Sequence, residues 1–200
     1  MTPTQPANAE SPGPASPLPD GDDRDAALLQ RIAAGDRAAF QALYERYFGR
    51  LRRFLARTSR RPEVVEDAVN DAFWVVWQKA ADFRGGSRVS TWIFGIAYRC
   101  ALKALRSNPA GPASSHGREE AAHEPAIEQE RAEWVGRGLA QLSLEQRSTL
   151  ELAYYLGHSC EEIAQIMDCS VGTVKARMFH ARVKLRNVLP QLGGCTHGEP

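Results

Sequence analysis

The chain has 200 residues, a formal net charge of +1 and four widely spaced cysteines, none of them in a C-x-x-C pair. That length allows one or two cores, and the cysteine spacing argues against a disulfide framework and for a reducing, cytoplasmic setting. No apolar run reaches the ~18 residues of a membrane span. The first 24 residues hold no apolar core of a secretory signal, so neither membrane insertion nor export is expected.

Charge is segregated along the chain. Residues 46–61 hold seven arginines and no acid, and residues 84–106 and 171–186 each hold five Lys or Arg and no acid. Basic stretches of this kind suit contact with a polyanion; solvated helix faces are the plainer alternative. The near-zero total charge argues against a protein that coats DNA unaided.

Residues 1–24 carry half of the twelve prolines and few apolar residues, the composition of a disordered extension. An ordered block is expected over 25–106. Within it Phe40, Leu43, Tyr44, Tyr47, Leu51, Phe54 and Leu55 recur on one face of a 3.6-residue period. Pro62 suits the first turn of a new helix through Asp82, whose buried stripe is Val65, Val69, Ala72, Phe73 and Val76. Gly85-Gly86 breaks the pattern. Ser90 is the expected N-cap of a helix to Arg106, with Ile93, Ile96, Ala97, Cys100 and Ala104 on one side.

Residues 107–126 form a linker, since Pro109, Gly111, Pro112 and Pro125 oppose helix and no apolar period runs through them. The second ordered block is expected over 127–190, followed by a tail over 191–200. Ser143 with Gln146, and Ser159 with Glu162, fit capping boxes. The first opens a helix that Gly157 ends, and the second a short helix to Met167. Ser170 caps a longer helix to about Leu189, stopped by Pro190. The fold class is therefore all-α, with two small helical domains on a flexible linker.

A short helix, a turn at Asp168, Cys169 and Ser170, and a longer basic helix match helix-turn-helix geometry. Aspartate tolerates the left-handed conformation such a turn needs. Val171, Val174, Met178, Ala181 and Leu185 form the inward stripe of the second helix. Thr173, Lys175, Arg177, His180, Arg182 and Lys184 remain for base edges and phosphates. An ordinary helical hairpin with a solvated basic face is the plainer reading. No His or Cys has metal-ligand spacing or a nucleophile's partner, so no catalytic residue, metal or cofactor is expected.

Residues Leu144–Leu189, and Glu161–Arg186 within them, resemble region 4 of the sigma-70 family, its promoter −35 reader. EDAVNDAFWVVWQ (Glu66–Gln78) is similar to region 2.2, which docks on RNA polymerase. Phe83–Arg106, with its TWIFGIA core, resembles regions 2.3 and 2.4, which open and read the −10 element. A linker of only 20 residues points to the extracytoplasmic-function (ECF) group. The resemblance implies a region-2 bundle over 25–106 and a region-4 domain over 127–190. It implies core RNA polymerase and promoter DNA as partners, an anti-sigma factor as antagonist, and a place at the nucleoid when in holoenzyme. It assigns polymerase docking to Asp67, Asn70, Asp71, Trp74 and Gln78, an acidic face whose tryptophan independently suits an interface. It assigns −10 contact to Arg84, Arg88, Trp92, Tyr98, Arg99 and Lys103, where a glycine loop flanked by cations suits a base turned out of the duplex. Three positions depart from the family pattern: His180 stands where arginine is common, Asn70 where glutamine is frequent, and Arg99 where many members carry asparagine. A stand-alone helix-turn-helix regulator is the alternative reading.

Overall fold

The structure is a computed structural model that describes residues 20–58, 61–107 and 126–192. In chain order it contains α1 (Asp20–Ala33), α2 (Arg37–Thr58), α3 (Pro62–Lys79), a 3-10 turn (Ala80–Asp82) and α4 (Val89–Ser107). There follow α5 (Ala126–Ala140), α6 (Leu144–Leu150) with a π turn (Glu151–Tyr155), α7 (Cys160–Met167) and α8 (Val171–Leu192). The described residues are helical and carry no strand. The expected extension over 1–24 and linker over 107–126 fall largely outside them, but helix α1 begins at Asp20, inside the former.

Local chemistry sets the helix ends. Gly35 takes a left-handed φ of 86° and closes α1. Asp36 then accepts from the Ala38 and Ala39 N–H groups at 2.9 and 3.0 Å and opens α2. These bonds, with Arg31, hold its carboxyl below the ordinary carboxylate range. Pro62 stands in the first turn of α3 as expected. Helix α4 opens two residues earlier than Ser90 would set it, with Trp92 N–H bonded to the Arg88 carbonyl. Its first N–H, on Val89, is satisfied by the Asp22 carboxylate of α1 at 2.8 Å, so a distant side chain does part of the capping expected of Ser90. Helix α8 runs through Pro190 to Leu192 instead of stopping there. The Trp134 indole donates to the Leu189 carbonyl at 2.9 Å and holds that last turn against α5.

One continuous apolar core runs through both halves of the molecule. It joins Leu43, Leu51, Val69, Val76, Ile93 and Phe94 to Leu152, Ile163, Ile166 and Val174. A smaller cluster of Leu142, Leu150 and Ala181 lies between α6 and α8. Helix α4 is central because it is covered on two sides, by α3 and by α7. Hence Phe94, Gly95, Tyr98 and Ala101 are buried along with Ile93, Ile96 and Ala97 of the expected stripe, while Cys100 and Ala104 are half-buried.

Polar contacts reinforce the junction. Arg57 of α2 donates to Glu151 at 3.1 and 3.2 Å, and its guanidinium lies 4.1 Å from the Tyr155 ring centroid. Arg147 donates to the Arg57 carbonyl at 3.1 Å. Glu162 caps α7 through Ser159, accepts from Thr91 of α4 at 3.2 Å, and pairs with Arg88 at 3.4 Å.

Candidate nucleic-acid and polymerase interface

Helix α3 turns its apolar stripe inward: Val64, Val65, Ala68, Val69, Ala72, Phe73 and Val76 are buried. The 3.6-residue period therefore puts Asp67, Asn70, Asp71, Trp74 and Gln78 outside, where all five are exposed. Trp74 is 60% exposed, a large apolar surface to leave in water. An open groove of about 500 Å³ runs beside it between α3 and α4, lined in part by Asp71, Trp74, Trp92, Arg99, Cys100 and Lys103. Trp92 packs its ring 5.5 Å from Phe83 and is half-buried. The groove thus brings together residues that the sequence placed in two separate sets, docking and −10 contact. Burial pushes the Cys100 thiol above its ordinary value.

The −10 candidates do not all share that groove. Arg84 is exposed in the loop, and Arg99 and Lys103 are exposed on α4. Arg88 is turned to Glu162, and Tyr98 is only 5% exposed. Burial raises the Tyr98 hydroxyl above its ordinary value, with Glu145 acting in the same direction. In this arrangement Tyr98 faces the second half of the molecule rather than solvent.

The helix-turn-helix is built as its residues dictate. Both expected capping boxes are present, at Ser143/Gln146 and Ser159/Glu162. Asp168 takes φ 51° and ψ 57°, the left-handed cap that ends α7, and Cys169 N–H bonds to the Ala164 carbonyl at 3.0 Å. Ser170 then caps α8 by accepting from Thr173 N–H at 3.1 Å, and the two hydroxyls lie 2.9 Å apart. Thr173 is thereby engaged at the cap. Arg177 is half-buried, its guanidinium 3.5 Å from the Cys169 sulfur. Lys175, His180, Arg182 and Lys184 are exposed on α8.

Several side chains of consequence were not among the expected site residues. Phe179 is 58% exposed on α8, and its position opposite Val174 and Ala181 was readable from helical spacing. His158 is buried beside the Phe94 ring, and Glu151 is buried against Arg57. Neither had a local signal, because their partners lie on distant helices. Among the described residues no group of three or more His, Cys, Asp or Glu is placed to hold a metal, and no helix is long and apolar enough to cross a membrane. Cys195 and His197 lie outside the described residues.

A helix-turn-helix with a basic second helix, joined to a helical bundle bearing an exposed acidic and aromatic face, defines a DNA-reading protein that also docks on another protein. Two family models match the chain: Sigma-70 region 2 over residues 43–109, in the bundle, and Sigma-70 region 4 over residues 132–185, around the helix-turn-helix. The ECF RNA polymerase sigma factor SigM of Mycobacterium tuberculosis is 33% identical over 168 residues, 84% of this chain and 86% of its own length. CnrH, solved in complex with the cytosolic domain of CnrY, is 25% identical with a TM-score of 0.65 over 84% of this chain and 99% of that one. The sigma factor RpoE of Bartonella quintana, solved with the anti-sigma factor NepR, is 26% identical with a TM-score of 0.61 over 76% of this chain and 96% of its own.

The chain belongs to the ECF group of the sigma-70 family. It is a sigma factor, a protein that directs RNA polymerase to promoters for transcription initiation. The region-2 match does not favour a stand-alone helix-turn-helix regulator.

Proposed function

We propose that this sigma factor docks on core polymerase through the α3 face of Asp67, Asn70, Asp71, Trp74 and Gln78. The observation that carries this is the exposure of Trp74 at the centre of an acidic helix face whose other side is fully packed. Aromatic anchors ringed by chargeable groups are characteristic of interface hot spots. The adjoining groove, with Trp92, Arg99 and Lys103, takes a base of the unwound −10 strand, with Arg84 on the backbone. Helix α8 enters the major groove at −35, with Lys175, Arg182 and Lys184 on phosphates and His180 and Arg177 nearer the bases.

These assignments divide the chain into an extension (1–24), a region-2 domain (25–106), a linker (107–126), a region-4 domain (127–190) and a tail (191–200). Promoter reading then requires the two domains to part, because Tyr98 and Arg88 are covered or paired in the packed arrangement. Polymerase supplies the spacing between the readers, which a linker cannot fix. The factor itself performs no catalytic step, takes no cofactor and works in the cytoplasm, at the nucleoid when in holoenzyme. An anti-sigma factor is its expected antagonist, as the Bartonella quintana relative was solved in complex with one. The deciding experiment is transcription from candidate promoters by core polymerase with and without the full chain. Specific transcripts are expected only with it; transcripts independent of the chain would overturn the reading.

A further inference from the structure

Helix α1 lies wholly ahead of the region-2 match, which begins at residue 43. Its carboxylates Asp22 and Asp25, three residues apart, share one helix face. Asp25 is buried and anchors α1 on α2: it accepts from the Tyr47 hydroxyl at 2.6 Å and pairs with Arg46 at 3.1 Å. Asp22 reaches further, accepting from the Val89 N–H at 2.8 Å. Val89 is fully buried. Its N–H is one of the four that a helix start leaves unsatisfied, and here it has no solvent to turn to.

This bond stands at the exit of the loop 83–88, which carries Arg84 and Arg88, and three residues ahead of Trp92. Gly85 takes a left-handed φ of 72°, and a Cβ on Gly85 or Gly86 would meet nothing within 4 Å. The middle of the loop is thus unsupported, and its ends decide its path. At the entry, the Phe83 ring packs on Trp92, and the 3-10 turn Ala80–Asp82 packs on α1. At the exit, Asp22 holds Val89, so α1 brackets both ends. Arg88 pairs with Glu162 while the two halves are packed. Parting them breaks that pair and leaves the Asp22 bond to fix the exit.

We infer that Asp22 is a positioning residue for −10 reading. It fixes the first turn of α4, and with it the aim of Arg84, Arg88 and Trp92 at the unwound strand. This rests on the proposal that the loop and the adjoining groove take that strand. Asp22 acts through the backbone and not on DNA. A side-chain cap is worth about fivefold in the population of a capped helix end, and a reader whose competent form is less populated binds correspondingly less tightly.

The test uses holoenzyme assembled from core polymerase and the full chain. The DNA is a promoter fork with a single-stranded −10 segment, in a form selected from a randomised library and in a scrambled form. Wild type should prefer the selected strand. Asp22→Ala should lose roughly fivefold of that preference. Asp22→Asn, whose side-chain oxygen still accepts from Val89, should stay within about twofold of wild type. Asp23→Ala removes the exposed neighbouring acid and should behave as wild type. Binding to core polymerase, through the α3 face, should be unchanged in all three. Undiminished preference in Asp22→Ala would overturn the inference, as would an equal loss in Asp23→Ala or in Asp22→Asn. A loss shared alike by selected and scrambled strands, or lost core binding, would make Asp22 a stabiliser of the fold only and overturn it too. A wild type with no −10 preference would overturn the −10 reading itself, which separates the two failures.

Discussion

Arg57 and Glu151, 94 residues apart in the chain, form a two-bond ion pair at the junction of the region-2 and region-4 halves. The Glu151 side chain is only 3% exposed and that of Arg57 43%, so the acid is the buried partner. Burial pushes the Glu151 carboxyl above its ordinary value, and Arg57 pulls it back down. Removing the arginine leaves a buried carboxylate with the Arg147 charge as its remaining cation. Arg57→Ala should therefore destabilise the packed form by about 1–3 kcal/mol at neutral pH. A carboxyl whose folded value is raised favours folding most below its ordinary value and loses that contribution as pH rises. The deficit of the variant should accordingly be greater at pH 8 than at pH 5. Thermal melting across that range is the check, and equal midpoints for variant and wild type would refute it.

His158 should make the packed form sensitive to acid. Its ring is buried against Phe94, its Nε2 has no partner, and its Nδ1 lies 3.6 Å from Glu162. Burial pushes its value down from 6.5 to about 4; Glu162 opposes that shift, while Arg50 of α2 and Arg88 before α4 add to it. Between those two values the unfolded or parted chain binds the proton and the packed one does not, so stability falls as pH drops from 6.5 toward 4. The full effect is on the order of 3 kcal/mol. His158→Leu should flatten the pH dependence of the melting midpoint in this window. An unchanged slope would place the acid sensitivity elsewhere.

Gly95 permits the close approach of α4 and α7. A Cβ at this position would sit 3.7 Å from the Ile166 Cα and 3.4 Å from the Arg99 guanidinium. Alanine would fit, whereas Gly95→Leu would drive a wedge between the helices at a cost of about 1–3 kcal/mol. Hydrogen exchange of α7 amides should accelerate at least tenfold in Gly95→Leu and little in Gly95→Ala. Matching protection in the two variants would mean the helices are not held by this contact.

The docking face on α3 predicts a separable loss of polymerase binding. Trp74→Ala removes an exposed anchor and should cost ~2 kcal/mol or more of affinity for core polymerase. Asp71→Arg should weaken binding as well, by reversing charge beside the anchor. Since both side chains are exposed, helicity and melting should stay within experimental scatter of wild type. Undiminished pull-down of core polymerase by both variants would move the docking surface to another face.

Phosphate contacts on α8 predict a salt signature. Lys184 is exposed on the helix flank. Lys184→Ala in holoenzyme should lower affinity for all −35 variants alike and reduce the salt slope by about one unit. A change in −35 preference instead would assign Lys184 to base contact.

What the sequence made legible was what is decided within a few residues. The capping boxes at Ser143 and Ser159, the left-handed Asp168 and the buried stripe of α3 all depend on spacings of three or four. The candidate face on α3 followed from the same periodicity. The second covering of α4 did not: Phe94, Tyr98 and Ala101 continue an apolar run in which no local pattern marks a second buried side. The Asp22 carboxylate at Val89 is 67 residues away, so Ser90 was the only visible cap. Likewise Arg177 read as a free cation, because nothing in its neighbourhood shows that the guanidinium folds back on Cys169.

The shared core carries a consequence for the lifetime of this protein in the cell. Ile93 and Phe94 on one side, and Ile163 and Ile166 on the other, lie in a single apolar mass that parting the two halves would show to water. A chain so exposed is a substrate for chaperones and proteases, whose action follows the population of the opened form. Packed or captured by a partner, the factor is shielded; opened and unclaimed, it is marked for removal. Its abundance should then follow the supply of binding partners, with the unassembled surplus cleared fastest in chains that open most readily.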